Sequence, residues 1–146
     1  MVDRSPDHRE VEAVNTAFYQ AFESADLDAM LDLWLDDPEA LCVHPGALPV
    51  RGTSAISRSW ALIMANTPYI QFFLTDVEVS LRGEPADVAS VTCTENVLTG
   101  DASTGTDSFG GAKAVATNVF VRTPDGWRMW IHHASPVLSA EDDDDD

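Results

Sequence analysis

The sequence is poor in the features that would assign it to several specialised classes of protein. It has two cysteines in 146 residues, Cys42 and Cys93, too far apart for a CxxC pair or a ligand cluster. It has 8 basic residues against 25 acidic ones, for a net charge of −17. We therefore expect no disulfide framework, and we expect neither nucleic acid nor a membrane as a partner.

Long hydrophobic runs and cofactor motifs are absent as well. No apolar run approaches the roughly 18 residues of a membrane span, and no basic start is followed by an apolar segment. The sequence contains no phosphate-binding loop, dinucleotide glycine fingerprint or serine nucleophile elbow. These absences favour a cytoplasmic protein that uses no cofactor.

Three helical patterns occupy the first half of the chain. Apolar residues recur at three- and four-residue spacing from Asp7 onward, which predicts a first helix. Asp26 is typical of the N-cap of a short second helix, and either Thr53 or Ser54 of a third. Two short extended pieces, 40–44 and 49–52, lie between the second and third helices.

Four long strand patterns fill the second half. The first has a slip in its apolar alternation near Thr75 and Asp76, which predicts a β-bulge. The turn at 123–126 (TPDG), between two apolar runs, predicts a final hairpin.

Helices first and meandering strands later predict an α+β fold. We expect three N-terminal helices in the concave face of a strongly curved, mostly antiparallel sheet, in effect a cone-shaped α+β barrel with a central cavity. A single domain should span 7–138, between a frayed start at 1–6 and a disordered acidic tail at 139–146.

Four segments carry a resemblance to a known family. They are 25–30 (ADLDAM), 43–46 (VHPG), 51–56 (RGTSAI) and 126–135 (GWRMWIHHAS). With the order of elements, they make residues 8–137 resemble the nuclear transport factor 2-like, or cystatin-like, superfamily, in its SnoaL-like branch. That branch includes polyketide cyclases and ketosteroid isomerases, and the superfamily also holds dehydratases and non-catalytic association modules, so the fold alone does not define the chemistry.

The resemblance to ketosteroid isomerases carries over only in part. His44 stands where those enzymes place a general-base aspartate, and a histidine also transfers protons near neutral pH. Their tyrosine donor falls on Phe18, with Tyr19 one residue off and so rotated by about 100° around the helix. Their second donor falls near Asn118. Steroid isomerisation is therefore not predicted, and Tyr19 is not expected to replace the missing donor.

Strand alternation alone does not decide which residues of two strands form the cavity wall. On one strand either Glu95 or the polar row of Thr92, Thr94 and Asn96 points inward. At the end of the chain His132 and His133 face opposite sides, and we favour His132 together with Trp130 for the cavity. Because adjacent strand histidines diverge and no third ligand is apparent, we expect no metal. The predicted substrate-binding residues are Phe18, Trp34, Trp60, Thr94, Glu95, Asn96, Trp130 and His133.

Two functions follow as hypotheses. The first is a cofactor-free isomerase, cyclase or dehydratase acting by proton transfer on a small apolar carbonyl compound, with His44 as base and with Asn118 and His132 stabilising negative charge. The second is a non-catalytic homo-oligomeric module, similar in its Trp…His-x-Ser ending to the association domain of calmodulin-dependent kinases. In either case an apolar outer sheet face predicts a homodimer.

Overall fold

The computed structural model describes residues 5–100 and 109–138. The elements are α1 (Pro6–Glu23), α2 (Leu27–Asp32), β1 (Leu41–Val43), β2 (Val50–Arg51), α3 (Thr53–Ala65), β3 (Ile70–Gly83), β4 (Ala86–Gly100), β5 (Phe109–Thr123) and β6 (Gly126–Pro136). The predicted α+β order of three helices, a short strand pair and four long strands is confirmed. Residues 1–4 and the expected acidic tail, 139–146, lie outside the described residues.

The six strands form one mixed sheet in the order β2-β1-β6-β5-β4-β3. The β1–β6 pair is parallel, and the other four pairs are antiparallel. Within the described residues the sheet does not close, because β2 and β3 remain at its edges. Helix α1 packs against β3, β4 and β6, so the core lies between this helix and one face of the sheet.

Helix α1 begins one residue earlier than predicted. The hydroxyl of Ser5 accepts a hydrogen bond from the His8 backbone N–H at 3.2 Å, which caps the helix, and Pro6 occupies the first turn. Its buried positions are Val11, Asn15, Phe18, Tyr19 and Ala21. Two of these five side chains, Asn15 and Tyr19, are polar. This is unusual for a core-facing helix, and buried polar groups require hydrogen-bond partners.

The predicted cap of α3 is wrong. Gly52, at φ 92°, is the N-cap, and neither Thr53 nor Ser54 caps the helix through its side chain. The Thr53 hydroxyl instead accepts a hydrogen bond from the Asp37 backbone N–H at 2.9 Å. Thr53 therefore ties the start of α3 to the segment that leads into β1.

Two of the register shifts in the sheet bear on the site and its predicted strands. The predicted bulge in β3 is confirmed between Thr75 and Glu78, where Asp76 adopts a positive φ of 54°. A second shift lies where β5 meets β6: Val119 pairs with Ile131, and the next residue of β5 pairs with Met129. Trp130 is thus an extra residue on β6, and strand alternation is offset across it.

We expect Asp26→Ala to lower the free energy of unfolding by about 1 kcal/mol, because a lost N-cap leaves a helix N–H unpaired. The Asp26 carboxylate accepts from the Ala29 backbone N–H at 3.1 Å. Urea denaturation measures the change. The matched control is Asp28→Ala, an exposed acidic residue in the same turn, which should stay within about 0.5 kcal/mol of wild type. Equal losses in both variants would contradict the capping role.

Candidate functional site

A cavity of about 250 Å³ lies between the helices and the sheet. Aromatic and aliphatic side chains make up most of its wall, and four side chains bring polar groups. The lining residues are Phe18, Tyr19, Phe22, His44, Pro45, Ile63, Ile70, Phe72, Glu95, Val97 and His132. An apolar hollow with a few convergent polar groups is typical of small-molecule sites, and this volume suits a small ligand.

Aromatic contacts hold the cavity wall in place. The ring of Phe18 lies 4.7 Å from that of His132 and 5.5 Å from that of Trp60 between centroids. Trp60 also meets the His44 imidazole edge-on at 4.9 Å. These contacts are in the offset or edge-to-face range, so they restrict how either imidazole can turn.

A hydrogen-bond chain runs behind the wall, from α1 to three strands. Asn118 on β5 is fully buried, and its amide nitrogen donates to Asn15 Oδ1 at 2.8 Å and to the Tyr19 hydroxyl at 3.2 Å. Its amide oxygen lies 2.6 Å from Nδ1 of His132. The Tyr19 hydroxyl in turn donates to Glu95 Oε2 at 2.6 Å. The chain therefore connects a buried carboxyl group to a buried imidazole.

Glu95 is the carboxyl group at one end of this chain. It faces inward because it continues the apolar face of β4 formed by Val91 and Cys93, and it is only 3% exposed. Burial raises the pKa of Glu95, because the charged form loses water, while the hydrogen bond from Tyr19 opposes part of that rise. The cavity wall thus contains a carboxyl group with a strengthened hold on its proton.

His132 forms the other end. Burial, followed by the charges of His44 and His133, lowers the pKa of His132 to about 3. The imidazole is therefore neutral at physiological pH. Because an amide oxygen only accepts, the Nδ1 atom facing Asn118 carries the hydrogen.

His44 follows β1 and enters the cavity just before the Pro45-Gly46 turn. Its Nε2 lies 3.2 Å from the Ser59 hydroxyl and 3.4 Å from Cys42 Sγ. Burial lowers the pKa of His44, so this ring too favours its neutral form. A half-buried neutral imidazole is suited to accept a proton from a ligand.

The structure brings together only part of the predicted site. Phe18, His44, Glu95 and His132 line the cavity. Trp60 lies behind the wall, in contact with the Phe18 and His44 rings. Trp34 is buried further away, beside Met129, and does not line the cavity.

Four predicted binding residues lie on the outer face of the sheet. Asn96 donates to the Phe73 carbonyl, and Thr94 lies 3.5 Å from Asp76. Trp130 donates to a backbone carbonyl at 3.2 Å, and His133 is exposed. On β4 strict alternation turns the polar row outward once Glu95 faces inward. On β6 the extra residue Trp130 lets both Met129 and His132 face inward, so the predicted placement of Trp130 in the cavity beside His132 is wrong.

The expected oxyanion role does not fit this geometry. Both amide hydrogens of Asn118 are used by Asn15 and Tyr19, and the Nδ1 hydrogen of His132 is used by Asn118. Tyr19, which is not expected to replace the missing donor and is not among the predicted binding residues, does line the cavity. The buried face of α1 is wide enough to include two consecutive residues, Phe18 and Tyr19. A polar residue within an apolar helical stripe was the signal that could have found it.

Within the described segments, no group of three His, Cys, Asp or Glu residues is placed to hold a metal ion. None of the described helices has both the length and the apolar character to cross a membrane.

The open six-stranded sheet, its three helices and the cavity between them define a nuclear transport factor 2-like protein with a cystatin-like fold. The SnoaL-like domain model matches residues 11–139, and the chain belongs to that family.

Two solved structures are similar in sequence as well as fold. A candidate dehydratase of the NTF2-like family from Streptomyces avermitilis is 51% identical, with a TM-score of 0.82 over 91% of this chain and 98% of that one. A candidate calcium/calmodulin-dependent protein kinase type II association domain from Thiobacillus denitrificans is 32% identical, with a TM-score of 0.74 over 87% and 94% of the two chains.

A plant protein is a more distant relative. The F-box protein SKIP8 of Arabidopsis thaliana is 26% identical over 130 residues, which make up 89% of this chain. The match spans only 51% of the plant protein. The chain therefore spans about half the length of this curated relative.

We expect Glu95→Gln to remove a pH-dependent loss of stability. A carboxyl group whose pKa is raised by folding favours the folded state below its unfolded pKa of about 4.3 and loses that contribution as pH rises through its folded pKa. Urea unfolding of wild type and variant between pH 4 and 8 should show wild type losing stability relative to Glu95→Gln as pH rises. The exposed Glu78→Gln variant is the control. Parallel profiles for wild type and Glu95→Gln would contradict the burial argument.

Proposed function

We propose that the protein is a cofactor-independent enzyme that transfers protons next to the carbonyl group of a small, apolar compound. The reaction is an isomerisation, cyclisation or dehydration, and dehydration of a β-hydroxy carbonyl compound is the form we favour. The observation that carries the proposal is the carboxyl group of Glu95, buried in the wall of an apolar cavity that a neutral histidine also lines.

His44 acts as the base in this proposal. Its pKa is lowered by burial, so a neutral ring is available at physiological pH. His132 is less suited, because a pKa of about 3 makes it a weak base. This assignment retains the role expected for His44 and replaces the one expected for His132 and Asn118.

Glu95 acts as the acid. Its raised pKa favours the protonated form, which gives its proton to the substrate oxygen. In dehydration, His44 takes the proton from the carbon next to the carbonyl, a carbon–carbon double bond forms, and the carbon–oxygen bond breaks. The departing hydroxyl takes the Glu95 proton and leaves as water, and the proton on His44 then returns to Glu95 through solvent.

Similarity to a candidate dehydratase favours dehydration among the possible reactions. The Streptomyces avermitilis protein, described as a candidate dehydratase, is 51% identical and aligns over 91% of this chain. The cavity requires no bound group to supply the acid or the base, since both are side chains of this chain.

Homodimerisation is a second part of the proposal. The outer face of the sheet exposes apolar side chains, including Phe73 at 55% and Val115 at 46%. An open groove of about 830 Å³ lies beside them, with Leu98 and Val137 in its lining. Apolar surface of this kind usually meets a partner. We propose that a second copy of the chain covers it.

A non-catalytic association module is the second candidate function. The candidate kinase association domain, 32% identical to this chain, favours it together with the apolar outer face. The two candidates differ in one measurable respect, which is whether a ligand in the cavity is turned over.

We expect the wild-type protein to catalyse deuterium exchange at the carbons next to the carbonyl of 2-tetralone in D₂O, followed by NMR. His44→Ala and Glu95→Gln should each slow the exchange by about a hundredfold or more, since each removes one partner in proton transfer. The exposed Glu78→Gln variant should keep the wild-type rate. Binding of 2-tetralone without exchange above the buffer rate would refute the enzyme and favour the association module.

We expect the protein to sediment as a dimer at micromolar concentration and Phe73→Lys to sediment as a monomer, because a buried unpaired charge opposes association. Leu62→Lys is the matched control: Leu62 is 65% exposed on α3, away from the outer sheet face, and this variant should remain dimeric. A monomeric wild-type protein would refute the proposed interface.

A further inference from the structure

We infer that the ligand is held through a neutral hydroxyl group that donates a hydrogen bond to Nε2 of His132. The inference rests on the proposed function, because it concerns the ligand of the same cavity. It goes further by naming the group that the ligand carries and the atom that receives it. The direction of the hydrogen bonds around Asn118 is its basis.

The donors and acceptors of Asn118 are fixed by two partners. Its amide nitrogen has two hydrogens and donates them to Asn15 Oδ1 at 2.8 Å and to the Tyr19 hydroxyl at 3.2 Å. The amide oxygen therefore lies toward His132, 2.6 Å from Nδ1. A carbonyl oxygen cannot donate, so Nδ1 carries the hydrogen of that bond.

The opposite end of the hydrogen-bond chain, at Glu95, supports the same direction of donation. The Tyr19 hydroxyl donates its only hydrogen to Glu95 Oε2 at 2.6 Å. Its oxygen is then available only as an acceptor, which is the role that Asn118 requires of it. Four buried residues thus agree on one arrangement: Glu95 accepts from Tyr19, Tyr19 from Asn118, and Asn118 from His132.

The consequence for His132 is a defined tautomer. A neutral imidazole with its hydrogen on Nδ1 has a lone pair on Nε2. His132 lines the cavity, and no hydrogen bond within the described segments uses Nε2. An unpartnered acceptor in an apolar wall is matched by a ligand that supplies a hydrogen there.

A hydroxyl is the donor that suits both this wall and the proposed reaction. An anionic ligand is disfavoured, because the cavity lining, among the described residues, includes no Lys or Arg and does include Glu95. A hydroxyl that donates to Nε2 of His132 keeps its oxygen lone pairs open to the proton of Glu95. His132 would therefore be a substrate-positioning residue that orients the leaving group.

Binding of four compounds on one carbon frame tests the inference by titration calorimetry. We expect 2-tetralol to bind the wild-type protein about five- to tenfold more tightly than 2-methoxytetralin, which lacks the hydrogen. Tetralin-2-carboxylate and 2-aminotetralin should bind more weakly than the alcohol. Equal affinities for alcohol and ether, or tighter binding of the amine or the carboxylate, would overturn the inference.

The variant His132→Phe gives the matched comparison, since it keeps a ring against Phe18 and removes the acceptor. The alcohol should lose its advantage over the ether, while the ether binds as before. An advantage that persists in a folded His132→Phe variant would also overturn the inference.

A spectroscopic measurement on the wild-type chain does not depend on that variant folding. Imidazole ¹⁵N NMR, assigned by single substitutions of the other three histidines, should show His132 at pH 7 protonated at Nδ1 and unprotonated at Nε2. Adding 2-tetralol should shift the Nε2 signal, and adding the ether should not. A hydrogen on Nε2 in the free protein would refute the inferred tautomer.

The two proposals fail in distinguishable ways. A preference for the alcohol with no deuterium exchange in 2-tetralone would remove the proposed catalysis and leave the hydroxyl site standing. Exchange without a preference for the alcohol would remove the hydroxyl site and leave the catalysis standing.

Discussion

The buried amide of Asn118 connects the helix layer to the sheet, and the geometry of the cavity depends on that connection. Its hydrogen bonds to Asn15 and Tyr19 set the rotation of α1, and its hydrogen bond to His132 links β5 to β6. A buried polar group left without a partner costs about 1–3 kcal/mol. The helix therefore has one preferred setting over the sheet, and in it Phe18 and Tyr19 both face the hollow.

The extra residue on β6 is the second constraint. Met129 and His132 are three positions apart, so a β6 that alternated strictly, with no bulge at Trp130, would place them on opposite faces of the sheet. With Trp130 displaced outward, Met129 joins the core and His132 reaches the cavity on the same face. The bulge at Trp130 therefore allows Met129 to pack beneath the helices and His132 to contact Asn118.

Burial gives the cavity its chemical character. The same loss of water raises the pKa of Glu95 and lowers the pKa values of His44 and His132. A carboxyl group that favours its proton and an imidazole that favours its lone pair are complementary in acid–base terms. Because one apolar environment produces both shifts, no additional charged residue is needed to prepare the pair.

The order of elements, the Asp26 cap and the bulge near Asp76 were determined by the sequence, since each depends on residues close together in the chain. The placement of His44 beside a Pro-Gly turn was local in the same way. Tertiary structure alone decided that Glu95 faces inward, that Tyr19 belongs to the cavity wall and that Trp130 does not. Those outcomes depend on which face of β4 the helices cover, on the rotation of α1 and on the register of β6 against β5. Rotation and register are set by packing and hydrogen bonds between residues up to 103 positions apart, which local periodicity does not report.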